Sequence, residues 1–168
     1  MKKLTALLLA VLMICLCSTA FAAEATYDST KAFCRYLDSK DFTYTVRGIQ
    51  GEKEYEVVDI PYTFSDSGYR ITCKAFFYKN GVEVGFRVWN LIDFNQSFVN
   101  SMYKVCNDLN SAYRFARFYV DESDYSITCA TDVDLLTNDI GRLAYEGMMN
   151  VINVARYGYE ETLNNYAK

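Results

Sequence analysis

The sequence predicts an α+β fold in which helices back an antiparallel sheet, in the order α-β-β-β-α-β-β-α. Two observations lead to this fold class. Apolar residues recur at helical spacing near the start, the middle and the end of the chain, and the segments between them alternate between apolar and polar residues. Strands that follow one another without intervening helices are typical of an antiparallel sheet with helices packed on it.

The first half of the pattern predicts one helix and a series of strands. The helix covers Ser29–Lys40, and extended segments follow over Thr43–Arg47 and Tyr55–Phe64. The clearest local signal is a hairpin whose two arms alternate through Ile71, Cys73, Ala75, Phe77 and then Val82, Val84, Phe86, Val88. Asn80-Gly81 between the arms predicts a two-residue type I′ turn.

The second half predicts a helix, two strands and a long final helix. The helix begins near Asp93, with Gln96 in a capping-box arrangement. Its buried stripe is predicted to contain Phe98, Met102, Val105, Cys106 and Leu109. Strands over 116–120 and 125–129 flank a polar turn, and the final helix runs from about Thr137 to Leu163 with a broad apolar face.

The first 22 residues have the three zones of a secretory signal peptide. Lys2 and Lys3 precede an apolar run over 4–17, and small residues occupy both outer positions of Ala20-Phe21-Ala22. The run is shorter than the roughly 20 residues that span a bilayer. We therefore predict cleavage after residue 22, one domain over 23–168, no membrane insertion after cleavage, and a secreted or cell-envelope location.

The charge balance argues against nucleic acid as a partner. The whole chain has 17 basic and 21 acidic side chains, and the leader contains two of the lysines and none of the acids. The mature domain is thus still more acidic, and it has no cluster of Lys and Arg that would follow a phosphate backbone.

Side chains for catalysis are scarce. The chain contains no histidine, which excludes Ser-His-Asp and Cys-His catalysis and removes the commonest metal ligand. Neighbouring acids such as Asp121 and Asp124 are more typical of polar turns than of catalytic dyads, and no phosphate loop or EF-hand pattern occurs. We predict no catalytic residue, no metal and no cofactor, and hence a protein that is not an enzyme.

Four cysteines remain after the predicted cleavage: Cys34, Cys73, Cys106 and Cys129. An even number in an exported protein is compatible with disulfides, and three pairings are possible. The alternative is that each is a small buried apolar residue.

Aromatic residues on the second side of the strands form the candidate site. Phe77, Phe86 and Phe118 are expected in the core, whereas others alternate to the opposite face. This second set, with the arginines near it, consists of Phe76, Tyr78, Trp89, Phe115 and Tyr119 with Arg87, Arg114 and Arg117. Three alternatives stay open: further core beneath a second helical layer, a surface for self- or partner association, or a platform that stacks on sugars.

Residues 107–124 resemble the YbjN family. The resemblance consists of Asn107 and Asn110 at a helix end, an Arg-Phe-rich strand from Arg114, and an acidic turn from Asp121. Asp132–Leu135 is similar to the segment that leads into the family's final helix. The two asparagines are interpreted as caps of the helix C-terminus.

The resemblance implies a type III secretion chaperone-like fold and a non-enzymatic protein of a family described as candidate sensory transduction regulators. Chaperones of that fold dimerise and bind extended protein segments. Our leading hypothesis is an exported protein-interaction domain that forms a homodimer and binds an unidentified protein partner. The alternative is a carbohydrate-binding accessory protein of the cell envelope.

Overall fold

The computed structural model describes residues 23–50, 54–136 and 138–167, and the predicted signal peptide lies outside them. Three α-helices and six strands are present in this part of the chain. The helices are α1 (Asp28–Asp38), α2 (Val99–Ala112) and α3 (Ile140–Glu161). The strands are β1 (Thr45–Gln50), β2 (Tyr55–Thr63), β3 (Arg70–Tyr78), β4 (Glu83–Asp93), β5 (Arg117–Asp121) and β6 (Ser126–Asp134).

The strands form one antiparallel sheet in the order β1-β2-β3-β4-β6-β5. The predicted α+β class is confirmed, and the structure has four strands rather than three between α1 and α2. The two extended segments predicted over 43–47 and 55–64 form separate strands, β1 and β2, where the predicted order counts one. Strand β1 pairs with β2 through Val46 and Val58 before a bulge at Gly48. Strands β1 and β5 lie at opposite edges of the sheet.

The core lies between one face of the sheet and the helices. The predicted core residues Phe77, Phe86 and Phe118 are buried, and the ring centroid of Phe33 on α1 is 5.2 Å from that of Phe77. All three helices contribute side chains to the same apolar cluster as this face of the sheet. None of the described helices combines the length and the apolar character needed to cross a bilayer.

Two glycines bring α3 into close contact with the sheet. A Cβ atom on Gly147 would lie 2.6 Å from Val133 Cγ2, and one on Gly158 would lie 2.5 Å from Phe118 Cζ. Both distances are shorter than any real Cβ contact, so the helix can approach this closely only because these positions lack side chains.

The segment that precedes α1 is hydrogen-bonded to β1 and β2, at the edge of the sheet opposite β5. The backbone N–H of Ala23 donates to the Val46 carbonyl at 2.9 Å. The buried carboxylate of Glu56 accepts from the N–H groups of Thr26 and Tyr27 at 2.6 and 2.8 Å. Glu56 therefore satisfies backbone donors at the beginning of α1, where negative charge is favourable.

The hairpin between β3 and β4 is present, but the predicted type I′ turn is wrong. The loop covers residues 79–82, and only Gly81 has positive φ, at 70°. Both ends of the loop are bonded to segments beside the neighbouring strands: Lys79 N–H donates to the Glu54 carbonyl at 3.2 Å, and Leu135 N–H donates to the Val82 carbonyl at 2.7 Å. Asn80 lacks the positive φ that the first central residue of a type I′ turn requires.

The beginning of the second helix also differs from the prediction. Strand β4 continues to Asp93, and a 3-10 turn over Gln96–Phe98 precedes α2. The cap is Asn95, whose side chain accepts from Ser97 N–H at 3.0 Å. Met102, Cys106 and Leu109 form the buried stripe as predicted, whereas Phe98 is exposed.

Candidate functional site

No described helix covers the second face of the sheet, which we call the helix-free face. Because side chains alternate along a strand, the pairing of Phe76 with Val57 and Gly85 places Phe76 on this face while Phe77 enters the core. The same alternation places Tyr78, Arg87, Trp89, Arg117 and Tyr119 there. The predicted candidate residues on β3, β4 and β5 therefore share one face.

An aromatic patch covers the middle strands of this face. It consists of Tyr55, Phe76, Tyr78 and Trp89. The ring centroid of Phe76 lies 5.4 Å from that of Tyr55 and 5.4 Å from that of Trp89, and Tyr55 lies 6.2 Å from Tyr78. Phe76 and Tyr78 are half-buried, whereas Trp89 is 45% exposed. The patch is thus a continuous apolar surface that reaches solvent.

Charges beside the aromatic patch are paired. Asp59, which is buried, accepts from Arg47 Nε and from Lys74 Nζ, the latter at 3.3 Å. Lys74 Nζ also lies 5.4 Å from the centre of the Trp89 ring, within the range of a cation–π interaction. These contacts compensate the charge of Asp59 and place the Lys74 ammonium beside the Trp89 ring.

Arg87 is bound within the protein and is not available as a recognition side chain. One guanidinium nitrogen donates to the carbonyls of Phe86 and Thr131, each at 2.8 Å, and the other is 2.7 Å from Asp132 Oδ1. The guanidinium therefore lies flat across β4 and β6. Gly85 permits this, because a Cβ there would lie 2.8 Å from Asp132 Oδ1.

The arginine groove lies beside β5 and β6 on the same face. Its principal side chains are Arg114, Phe115, Arg117 and Tyr119, and its volume is about 500 Å3. Phe115 is 68% exposed and Tyr119 is 40% exposed. Within the described part of the chain, neither Arg114 nor Arg117 has an ion pair. The structure thus brings five of the eight predicted surface residues, Arg87 included, to the lining of one groove.

Asn110 has a role that sequence reasoning missed. Its side-chain amide donates to the Phe118 carbonyl at 2.9 Å and its oxygen accepts from the Phe118 N–H at 2.7 Å. The predicted C-cap role is wrong, because α2 continues past Asn110 to Ala112. Asn110 instead occupies the outer edge of β5, and no local pattern in the sequence indicates this contact.

The four cysteines are free and buried. Cys73 and Cys129 pair with the same residue, Val88, from opposite sides. They are therefore two strands apart, about 10 Å, which is beyond the Cα separation of about 7 Å that a disulfide can span. One of the three possible disulfide patterns is excluded by this register.

Burial also makes these thiols weak acids. It raises the pKa of Cys34 and of Cys106 to about 11, and it raises the pKa of Cys73 and Cys129 as well. At neutral pH the thiolate, which is the reactive form, is scarce at each of them.

The acids of the β5–β6 turn have local partners. Asp121 accepts from the N–H and hydroxyl of Ser123 at 2.9 and 2.6 Å, and these bonds lower the pKa of its carboxyl. Asp124 accepts from Asn90 Nδ2 at 3.0 Å. Across the described residues, no group of three or more Cys, Asp or Glu side chains is arranged to hold a metal ion.

No protein-family model and no curated protein matches the chain. A solved structure does match: YbjN from E. coli, described as a candidate transcription regulator, superposes with a TM-score of 0.50. The superposition covers 79% of this chain and 93% of YbjN, with 8% sequence identity. The chain therefore has a YbjN-like fold, as the resemblance implied, and at this identity the likeness concerns the fold alone.

Proposed function

We propose that the chain is an exported, non-enzymatic protein-interaction module that forms a homodimer through the aromatic patch. The observation that carries this proposal is the helix-free face itself, on which half-buried and exposed aromatic rings adjoin exposed arginines. Aromatic residues and arginine are the types enriched where protein interfaces gain most of their binding energy. The protein with the similar fold is described as a candidate transcription regulator, which supports a binding role.

The signal-peptide pattern of the first 22 residues supports export. The predicted cleavage point lies directly before Ala23, whose backbone N–H is bonded to β1. Cleavage there would leave a chain that begins at the sheet. Expression of the full chain followed by mass measurement of the secreted or envelope fraction tests this, and an intact leader in that fraction would contradict export by cleavage.

Sedimentation of the purified native protein tests the homodimer. Trp89→Ser removes the exposed ring of the aromatic patch, and Phe98→Ser is a matched control because Phe98 is equally exposed, at 45%, but precedes α2. We expect Trp89→Ser alone to weaken the dimer. A wild-type protein that remains monomeric at high concentration would remove the homodimer from the proposal.

Carbohydrate binding is the second candidate function, and the exposure of Trp89 beside Phe76 favours it. Sugars stack on exposed aromatic rings. A glycan array probed with the wild type and with Trp89→Ala separates the two functions. Binding that depends on Trp89 supports the sugar platform, whereas absence of binding together with a dimer supports protein association.

A further inference from the structure

We propose that the arginine groove binds an acidic polypeptide segment that also carries aromatic side chains. This inference rests on the proposed function, because it requires the helix-free face to be a recognition surface. It adds the chemical class of the partner, which the proposed function leaves open, and it assigns a separate half of the face to that partner.

The arginine groove carries a net positive charge. The groove is lined by three arginines and a single aspartate, although the whole chain has a net charge of −4. Arg87 and Asp132 are bound to each other, so Arg114 and Arg117 supply the uncompensated charge. An arginine guanidinium binds a carboxylate through two parallel hydrogen bonds, which favours Asp or Glu on the partner.

The arginine groove also exposes apolar surface. Phe115 and Tyr119 flank the two arginines and are 68% and 40% exposed. A small inorganic anion would leave these rings in water. A polypeptide with both acidic and aromatic side chains would pair with the arginines and bury the rings at the same time.

The edge of β5 determines how such a segment can bind. Peptides often add to a sheet through the free backbone groups of an edge strand. At Phe118 those groups are already bonded to Asn110. The partner therefore lies across the helix-free face and is recognised by side chains, and it does not extend the sheet at this position.

A second copy of the chain fits the groove poorly. In a two-fold dimer the residues near the axis meet themselves. A dimer centred on the groove would thus oppose Arg114 and Arg117 with the same arginines. At the aromatic patch Arg47 and Lys74 share the carboxylate of Asp59, which leaves one net positive charge there against two in the groove. The patch is therefore the better surface for self-association, and the groove is left for a different partner.

The only tryptophan in the chain provides the measurement. Trp89 lies on β4, two strands and so about 10 Å from β5 on the same face. The protein purified from its native source is titrated with a Glu-Tyr copolymer, and the fluorescence emission of Trp89 is followed. We expect saturable binding that weakens as salt is raised.

The decisive variant is Arg114→Glu combined with Arg117→Glu. We expect it to weaken binding by at least about tenfold, since two charge-assisted contacts become repulsive. Arg35→Glu is the matched control, because Arg35 is exposed on α1 away from the groove. Equal unfolding temperatures for the variants establish that the loss is local.

Two further polymers define what would overturn the proposal. Equal binding of a Lys-Tyr copolymer would contradict an acidic partner while leaving a recognition face intact. Equal binding of dextran sulfate would contradict a polypeptide partner. If the wild-type protein forms a dimer that depends on Trp89 but does not bind the Glu-Tyr copolymer, this inference alone is overturned. If the wild-type protein neither dimerises nor binds the copolymer, the proposed function is overturned as well.

Discussion

The side chain of Asn110 replaces a neighbouring strand at Phe118. Its amide group forms the same pair of hydrogen bonds, at 2.9 and 2.7 Å, that a seventh strand would form with this residue. Unpaired edge strands are sites of uncontrolled association. The helix that packs beside β5 therefore also protects its edge.

Replacement of Asn110 by Ala should expose this edge. We expect the free energy of unfolding to fall by about 1–3 kcal/mol, because two backbone groups lose their partners, and we expect slow association at high concentration. Chemical denaturation and light scattering measure the two effects. Asn107→Ala is the control from the same helix, since Asn107 is exposed. Equal behaviour of the two variants would contradict edge protection.

Replacement of Glu56 by Gln should loosen the segment before α1. Each carboxylate oxygen of Glu56 accepts from one of the two N–H groups, those of Thr26 and Tyr27. In Gln one of these positions is an NH2 group that faces a donor, so one of the two bonds is lost in this geometry. We expect a loss of about 2 kcal/mol in stability and faster hydrogen exchange over 23–27. Exchange measured by mass spectrometry tests this, and Glu24→Gln in the same exposed segment should leave the rate unchanged.

Replacement of Gly158 by Ala should destabilise the protein although Ala favours a helix. The new Cβ would overlap the Phe118 ring, and overpacking of a core costs about 1–3 kcal/mol. A second change, Phe118→Leu, should recover part of that loss by removing ring atoms. Asn150→Ala, at an exposed position of α3, should be neutral or stabilising. A Gly158→Ala variant as stable as the wild type would contradict the close contact.

The buried thiols should make stability depend on alkaline pH. The pKa values of Cys34 and Cys106 rise from 9.0 to about 11 on folding. Between these values the unfolded chain releases protons that the folded chain retains, so the free energy of unfolding falls as the pH rises from 9 towards 11. Denaturation at several pH values tests this. Replacement of both cysteines by Ala should reduce the slope.

The sequence predicted the fold where local pattern determined the structure. The alternation around Phe77 and Phe86 identified the hairpin and its buried face, and the spacing of Met102, Cys106 and Leu109 identified the packed side of α2. These residues were predictable because burial of one face requires a fixed period along the chain.

The sequence predictions were wrong where contacts between residues far apart in the chain determine the local structure. The loop at Asn80-Gly81 is bonded at both ends to distant parts of the chain, since Lys79 donates to Glu54 and Val82 accepts from Leu135. Similarly, Arg87 and Arg117 have the same chemistry in the sequence, but only the placement of Asp132 beside Arg87 distinguishes a structural arginine from an exposed one. Such pairings depend on strand order, which no local pattern encodes.

The opposite placement of β1 and β5 separates Ala23, the first described residue, from the arginine groove. Ala23 is bonded to the outer edge of β1, and five strand spacings of about 4.8 Å, roughly 24 Å in all, lie between that edge and β5. A tether or bulky tag joined ahead of Ala23 would thus project from the far margin of the molecule. The protein could be immobilised on a surface at that margin while its groove still faces a partner in solution.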